Sequence, residues 1–267
     1  MSGARVAAIL GVPVLLDVAL PKRSLAQLSR LSDFASTEKR LGSVAVSLMR
    51  FCEVRGLRRL VVAPATTERA GPAVALALAT SIRGSGRDLL LVDLGDDGGH
   101  LTSLSGLRDE IGLRDVIAGR ALLVDSCVSL GVGHTSVEFI GLGAGPEQSA
   151  VAVAEHLALL PHEALAVVDA PGLETSGLAI GAAADDSALV LVTCDSTEAE
   201  ALAVTATKLE LAGTLVVGVV HVRTTRGWWR PRRRSGVDHV SVVRQSVPSL
   251  ATPLHPARVV ESRRTAP

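Results

Sequence analysis

Leu60-Val61-Val62-Ala63-Pro64 runs directly into Ala65-Thr66-Thr67-Glu68-Arg69-Ala70-Gly71-Pro72, and an alanine-rich stretch then leads to Leu89-Leu90-Leu91-Val92-Asp93. The order is strand, loop, helix, and a strand that ends in an acid. Neither apolar run shows the alternation of a strand with one wet face, so both read as strands buried on two sides. Gly71-Pro72 reads as a helix start, with proline in the first turn, where its missing N–H costs little.

The same rhythm extends outward from this stretch. Strands are expected at 59–63, 88–93, 121–124, 136–141, 165–169, 188–194 and 214–221, with helices near 36–54, 70–83, 147–159 and 196–211. Strands that alternate with helices predict an α/β three-layer domain built on a largely parallel sheet. The chain divides into three units: a lead-in at 1–35 whose apolar run has no evident partner, the α/β domain at 36–222, and a basic, partly mobile tail at 223–267.

Composition suits this plan. Apolar residues make up 48% of 267, yet the chain has two Trp, three Phe and no Tyr, so Ala, Val and Leu must fill the core. The formal net charge is zero, but from Val222 onward ten arginines face only Asp238 and Glu261, leaving a basic tail on an acidic body. Cys52, Cys127 and Cys194 have no CxxC spacing, as expected for a reducing cytoplasm without a disulfide framework. Val6 to Leu20 is broken by Pro13 and Asp17 and is too short to span a bilayer.

Several motifs in order resemble one family. Leu10-Gly11-Val12-Pro13-Val14-Leu15-Leu16-Asp17-Val18-Ala19-Leu20-Pro21 comes first, then Gly112-Leu113-Arg114-Asp115-Val116-Ile117-Ala118-Gly119 and Val137-Glu138-Phe139-Ile140-Gly141-Leu142-Gly143-Ala144-Gly145-Pro146. Val167-Val168-Asp169-Ala170-Pro171-Gly172 and the strand from Gly213 to Val222 complete the set. Together they resemble the cytoplasmic ATPase half of bacterial polysaccharide co-polymerases, the tyrosine autokinases of capsule and exopolysaccharide export. These belong to the deviant-Walker P-loop class that includes ParA and MinD. The resemblance implies a P-loop NTPase-like fold over about residues 10–225. It also implies ATP and magnesium as cofactors, and a membrane-embedded chain-length or co-polymerase protein as partner.

The residues of the expected nucleotide site depart from that pattern. The family's Gly-Lys-Ser/Thr falls on Ala70, Gly71, Pro72 and Ala73. A phosphate loop needs glycines for a nest of N–H groups, a lysine for charge and a hydroxyl for magnesium. Here Thr66, Thr67, Glu68, Arg69, Gly71 and Pro72 form a degenerate version, with a carboxylate at Glu68 and only Arg69 to offset phosphate charge. The second acidic motif keeps Asp93 but displaces its partner to Asp96-Asp97, ahead of Gly98-Gly99. Asp169 matches the Walker B aspartate and, with Asp93, marks where residual metal or nucleotide contact would lie; capping of the next helix is the competing role for Asp169. The family's adenine-reading asparagine falls near Val222, and a chain without tyrosine has no autophosphorylation target.

Arg226, Trp228, Trp229, Arg230, Arg232, Arg233 and Arg234 crowd into one short stretch. Arginine attracts anionic headgroups and tryptophan favours the membrane interface, while nucleic acid is a weaker alternative that uses the same groups. Ser36-Thr37-Glu38-Lys39-Arg40 partly matches the family's oligomerisation motif, which leaves a homo-oligomer open. The histidines lack metal-ligand spacing, no GxSxG occurs, and Gly141 to Gly145 lacks the third glycine of a dinucleotide fingerprint. No catalytic residue and no metal ligand is therefore assigned. The expectation is a catalytically degenerate ATPase-like scaffold or regulator of polysaccharide polymerisation and export, cytoplasmic and peripheral at the inner face of the membrane, with no cofactor. Two alternatives stay open: nucleotide binding through Arg69, Asp93 and Asp169, and a ParA-like positioning ATPase whose arginine loop meets DNA.

Overall fold

The computed structural model describes residues 1–21, 34–66, 70–95, 100–132, 134–161, 163–225 and 241–243. Its strands are β1 (Val14–Pro21), β2 (Arg59–Pro64), β3 (Leu89–Asp93), β4 (Cys127–Val132), β5 (Thr135–Ile140), β6 (Leu165–Asp169), β7 (Ser187–Cys194), β8 (Val216–Thr225) and β9 (Ser241–Val243). They join in one sheet in the order β1-β8-β7-β2-β6-β3-β5-β4-β9. The pairs from β1 through β5 are parallel, and the β5–β4 and β4–β9 pairs are antiparallel. The central strands β2, β3, β6 and β7 are buried along their whole length, which explains their unbroken apolar runs.

The helices are α1 (Gly3–Leu10), α2 (Phe34–Arg55), α3 (Gly71–Gly84), α4 (His100–Leu104), α5 (Leu113–Ile117), α6 (Leu123–Ser126), α7 (Ala150–Ala158), α8 (Leu178–Ala182) and α9 (Ala199–Leu211). One face of the sheet carries α2, α3 and α4; the other carries α1, α5, α7, α8 and α9. The chain is thus a three-layer α/β domain. Helix α3 is apolar all round because it lies between the sheet and α2. In α2 itself Leu41, Ala45, Leu48 and Cys52 are buried at spacings of four, three and four, one stripe turned inward.

The apolar run of the lead-in has a partner. Strand β1 pairs with β8 from Val14↔Val219 to Pro21↔Thr225, which also carries β8 past its expected end at 221. Gly218 makes the close approach possible: a Cβ there would stand 2.5 Å from Leu15 Cγ and 2.8 Å from the Pro13 carbonyl. The strand expected at 121–124 is a correction. Leu123–Ser126 is the short helix α6, and β4 begins after it at Cys127, as one arm of an antiparallel pair with β5. Polar and small residues within β4 (Ser129, Gly131) hid it behind the more apolar Ala121–Val124 run. Helix α7 starts later than expected because Ser149 caps it, its hydroxyl accepting from the Ala152 N–H at 3.2 Å. Within the tail, β9 pairs with β4. Among the described residues no helix is long and apolar enough to cross a membrane.

Candidate functional site

Of the residues that the sequence singles out, Thr66, Gly71, Pro72, Asp93 and Asp169 lie at the C-terminal ends of β2, β3 and β6, where α3 begins. This is the edge of a parallel sheet at which such folds bind ligands. Asp93 and Asp169 end adjacent strands and lie directly opposite in register. Both continue the inward alternation of Leu89, Leu91, Leu165 and Val167, which puts them on the α3 side of the sheet. Each is fully or almost fully buried, at 0% and 1% exposure.

The two carboxylates are held very differently. Asp93 Oδ1 accepts the Gly95 N–H at 2.8 Å, and Oδ2 accepts the Thr102 N–H at 2.7 Å and the Thr102 hydroxyl at 2.8 Å. Three donors stabilise the ionised form. Asp169 has no hydrogen-bond partner on either oxygen among the described residues, so it caps no described helix. Burial, together with the lesser effect of the Asp93 charge beside it, holds the Asp169 carboxyl well above the ordinary aspartate range.

Thr102 belongs to the site without belonging to any motif. Its hydroxyl donates to Asp93 and accepts the Leu142 N–H at 2.9 Å, which ties the acidic strand end to the glycine-rich turn after β5. The Leu113 and Arg114 N–H groups donate to the Gly141 and Leu142 carbonyls, extending the link to α5. A threonine that bridges partners 9 and 40 residues away in sequence leaves no local signature.

At the helix start, Gly71 is the first residue of α3 and Pro72 lies in the first turn. Gly71 is wedged against the end of β2: a Cβ there would stand 2.8 Å from Pro64 Cγ and 3.6 Å from Asp169 Oδ1. Thr66 is half-buried, and the Ala65 carbonyl accepts from Thr205 of α9 at 3.2 Å. Thr67, Glu68 and Arg69 lie outside the described residues, as do Asp96, Asp97 and Arg226 through Arg234 with Trp228 and Trp229. Lys208, also on α9, reaches the loop after β6, but its ammonium donates to the Leu173 and Glu174 carbonyls, each at 3.3 Å. Val222, at the place of an adenine-reading asparagine, is fully buried among the apolar residues of the α2–α3 face. For a magnesium-bound nucleotide, the described residues thus offer two strand-end carboxyls and a helix start, with no N–H at Pro72 and with the Lys208 ammonium turned onto backbone carbonyls.

A hydroxyl, an imidazole and a carboxylate also line up nearby, with Thr193 Oγ1 3.0 Å from His221 Nδ1 and His221 Nε2 3.4 Å from Asp195 Oδ1. Thr193 and His221 are both fully buried under α1, so the hydroxyl meets no substrate. Burial pushes the Cys127 thiol up to about 12 and that of Cys52 up to about 11, which removes both as nucleophiles at neutral pH. No cluster of three metal-ligating side chains occurs among the described residues.

No protein-family model and no curated protein matches the chain in sequence. Solved structures do match its fold. The chimerical protein CapA2B2 is similar at TM-score 0.69 and 17% identity, over 84% of this chain and 100% of that one. The kinase domain of the Escherichia coli tyrosine kinase ETK is similar at TM-score 0.68 and 17% identity, over 88% and 99%. The BceF tyrosine kinase domain gives 0.66 and 17%, over 84% and 98%. The chain has the P-loop NTPase-like fold of these bacterial tyrosine-kinase domains.

Proposed function

We propose that this chain is a catalytically degenerate relative of the bacterial tyrosine-kinase domains, acting as a scaffold or regulator in exopolysaccharide or capsule production. The observation that carries this reading is the helix start at the end of β2. Gly71 is pressed onto Pro64 and Pro72 comes next, in the place where the related fold needs a lysine and a run of free N–H groups. Beside it the buried Asp169 carboxyl accepts no hydrogen bond from the described residues, while that of Asp93 is spent on Gly95 and Thr102. The ordered motifs from Leu10 to Val222 and the likeness to tyrosine-kinase domains support the polysaccharide setting. Under this reading the chain docks to a membrane-embedded co-polymerase partner at the inner face of the membrane, with the arginine–tryptophan stretch at 226–234 toward anionic lipid.

Calorimetric titration with ATP and magnesium tests the reading. No saturable heat is expected up to millimolar nucleotide, and micromolar affinity overturns it. The retained register of Asp93 with Asp169 is the one observation that favours the other reading, an active ATPase. That reading requires turnover which Asp169→Asn abolishes.

A further inference from the structure

A second concavity opens at the opposite end of the sheet from the carboxylate pair, where β1 and β8 begin and α2 ends. Its volume is about 640 Å³, and it is walled by Val14, Leu15, Val44, Leu48, Phe51 and Val216. That size falls within the range of roughly 300–1,000 Å³ common for small-molecule sites. Water in such a groove finds few hydrogen-bond partners, because Ser43 and Ser47 are the only hydroxyls in the lining and the Ser47 hydroxyl already donates to the Ser43 carbonyl at 3.0 Å. Leu215 stands at the groove with 39% of its surface exposed, so the apolar lining continues to solvent.

One ionised group lines this groove, and it is a cation. The Arg55 guanidinium lies 5.5 Å over the Phe51 ring, exposed, with no ion-pair partner among the described residues. The nearest acid in sequence, Glu53, is already engaged with Arg87 at 3.1 Å. The lining contains no carboxylate. An apolar slot with one cation and no acid in its described lining complements a molecule that is apolar along most of its length and anionic at one end. Eleven residues line it, against the roughly 20–30 per side of an ordinary protein–protein interface, which favours a small occupant over a folded partner.

We infer that this groove binds a single-chain anionic amphiphile, with its acyl tail between α2 and the β1–β8 edge and its carboxylate on Arg55. This site is separate from the carboxylate pair and stands whether or not the chain binds nucleotide.

The test is calorimetric binding of octanoate, nonanoate and decanoate, each below its critical micelle concentration, to the full chain. Affinity is expected to tighten about fourfold with each methylene. Arg55→Gln is expected to weaken decanoate binding about tenfold while leaving 1-decanol within twofold. Ser47→Trp, an exposed position on the groove wall, is expected to abolish binding of both while the far-ultraviolet circular dichroism stays unchanged. Affinity independent of chain length, decanoate binding untouched by both substitutions, or binding to phosphatidylglycerol vesicles without any to monomeric decanoate would each overturn the inference.

Discussion

Asp93 and Asp169 are register partners on adjacent strands, yet Asp93 accepts three hydrogen bonds and Asp169 accepts none from the described residues. The difference lies in the loop that leaves each strand. The chain after β3 folds back so that Thr102 reaches the Asp93 carboxylate. The chain after β6 instead turns away, the Leu173 N–H donating to the Pro64 carbonyl. Two identical side chains are thereby given different hydrogen-bonding surroundings, and the one without donors is the one whose carboxyl burial holds well above the ordinary aspartate range.

Asp169 gives the protein a pH dependence of definite sign. Its folded-state value is raised above the unfolded one, so its contribution is fully present below the ordinary aspartate value near 3.9 and is lost as pH rises toward the folded value. Urea unfolding from pH 4 to pH 8 should show Asp169→Asn gaining on the native chain as pH increases. A constant difference across that range would contradict the raised Asp169 carboxyl.

Thr102→Val removes one donor to Asp93 and the acceptor of the buried Leu142 N–H. A loss of about 1–3 kcal/mol is expected for each buried group left unsatisfied. Thr102→Ser keeps the hydroxyl and should cost less than half as much. Equilibrium denaturation of the two variants separates the hydrogen bonds from the methyl group.

Gly71→Ala places a methyl 2.8 Å from Pro64 Cγ and 2.9 Å from Cδ, and proline has little freedom to yield. A destabilisation of about 1–3 kcal/mol is expected. Gly84→Ala, where a Cβ meets nothing within 4 Å, is the control and should be neutral or slightly stabilising. Thermal unfolding monitored at 222 nm reads both.

The cysteines should be silent in the folded state. With the thiols of Cys52 and Cys127 at about 11 and about 12, neither is expected to react with a disulfide reagent at pH 8 within minutes. Both should react at once in 6 M guanidinium. Mass spectrometry after each incubation counts the labels.

Much of the layered architecture is legible in the sequence, because buried parallel strands and helices leave long apolar signatures. The runs at 59–63, 88–93, 165–169 and 188–194 each lie within one residue of a strand at both ends. What escapes is whatever depends on a distant partner. Strand β1 has no alternation of apolar and polar residues to announce it and is a strand only because β8 lies alongside. Strand β4 carries Ser129 and Gly131 where apolar residues would have marked it. In the candidate site, Asp93, Asp169 and Gly71 stand out by motif, but Thr102 and Lys208 become visible only once the chain is folded, since each acts on backbone more than thirty residues away.

The pairing of β1 with β8 sets an order on biosynthesis. Val14 leaves the ribosome well before Val219, its partner and one of the last residues of the parallel sheet. At about 5–20 residues per second, the ribosome leaves β1 without its neighbour for roughly 10–40 seconds. Throughout that interval an apolar strand waits beside a nascent chain with its whole edge open, and the fold is sealed only when β1 and the last parallel strand finally meet.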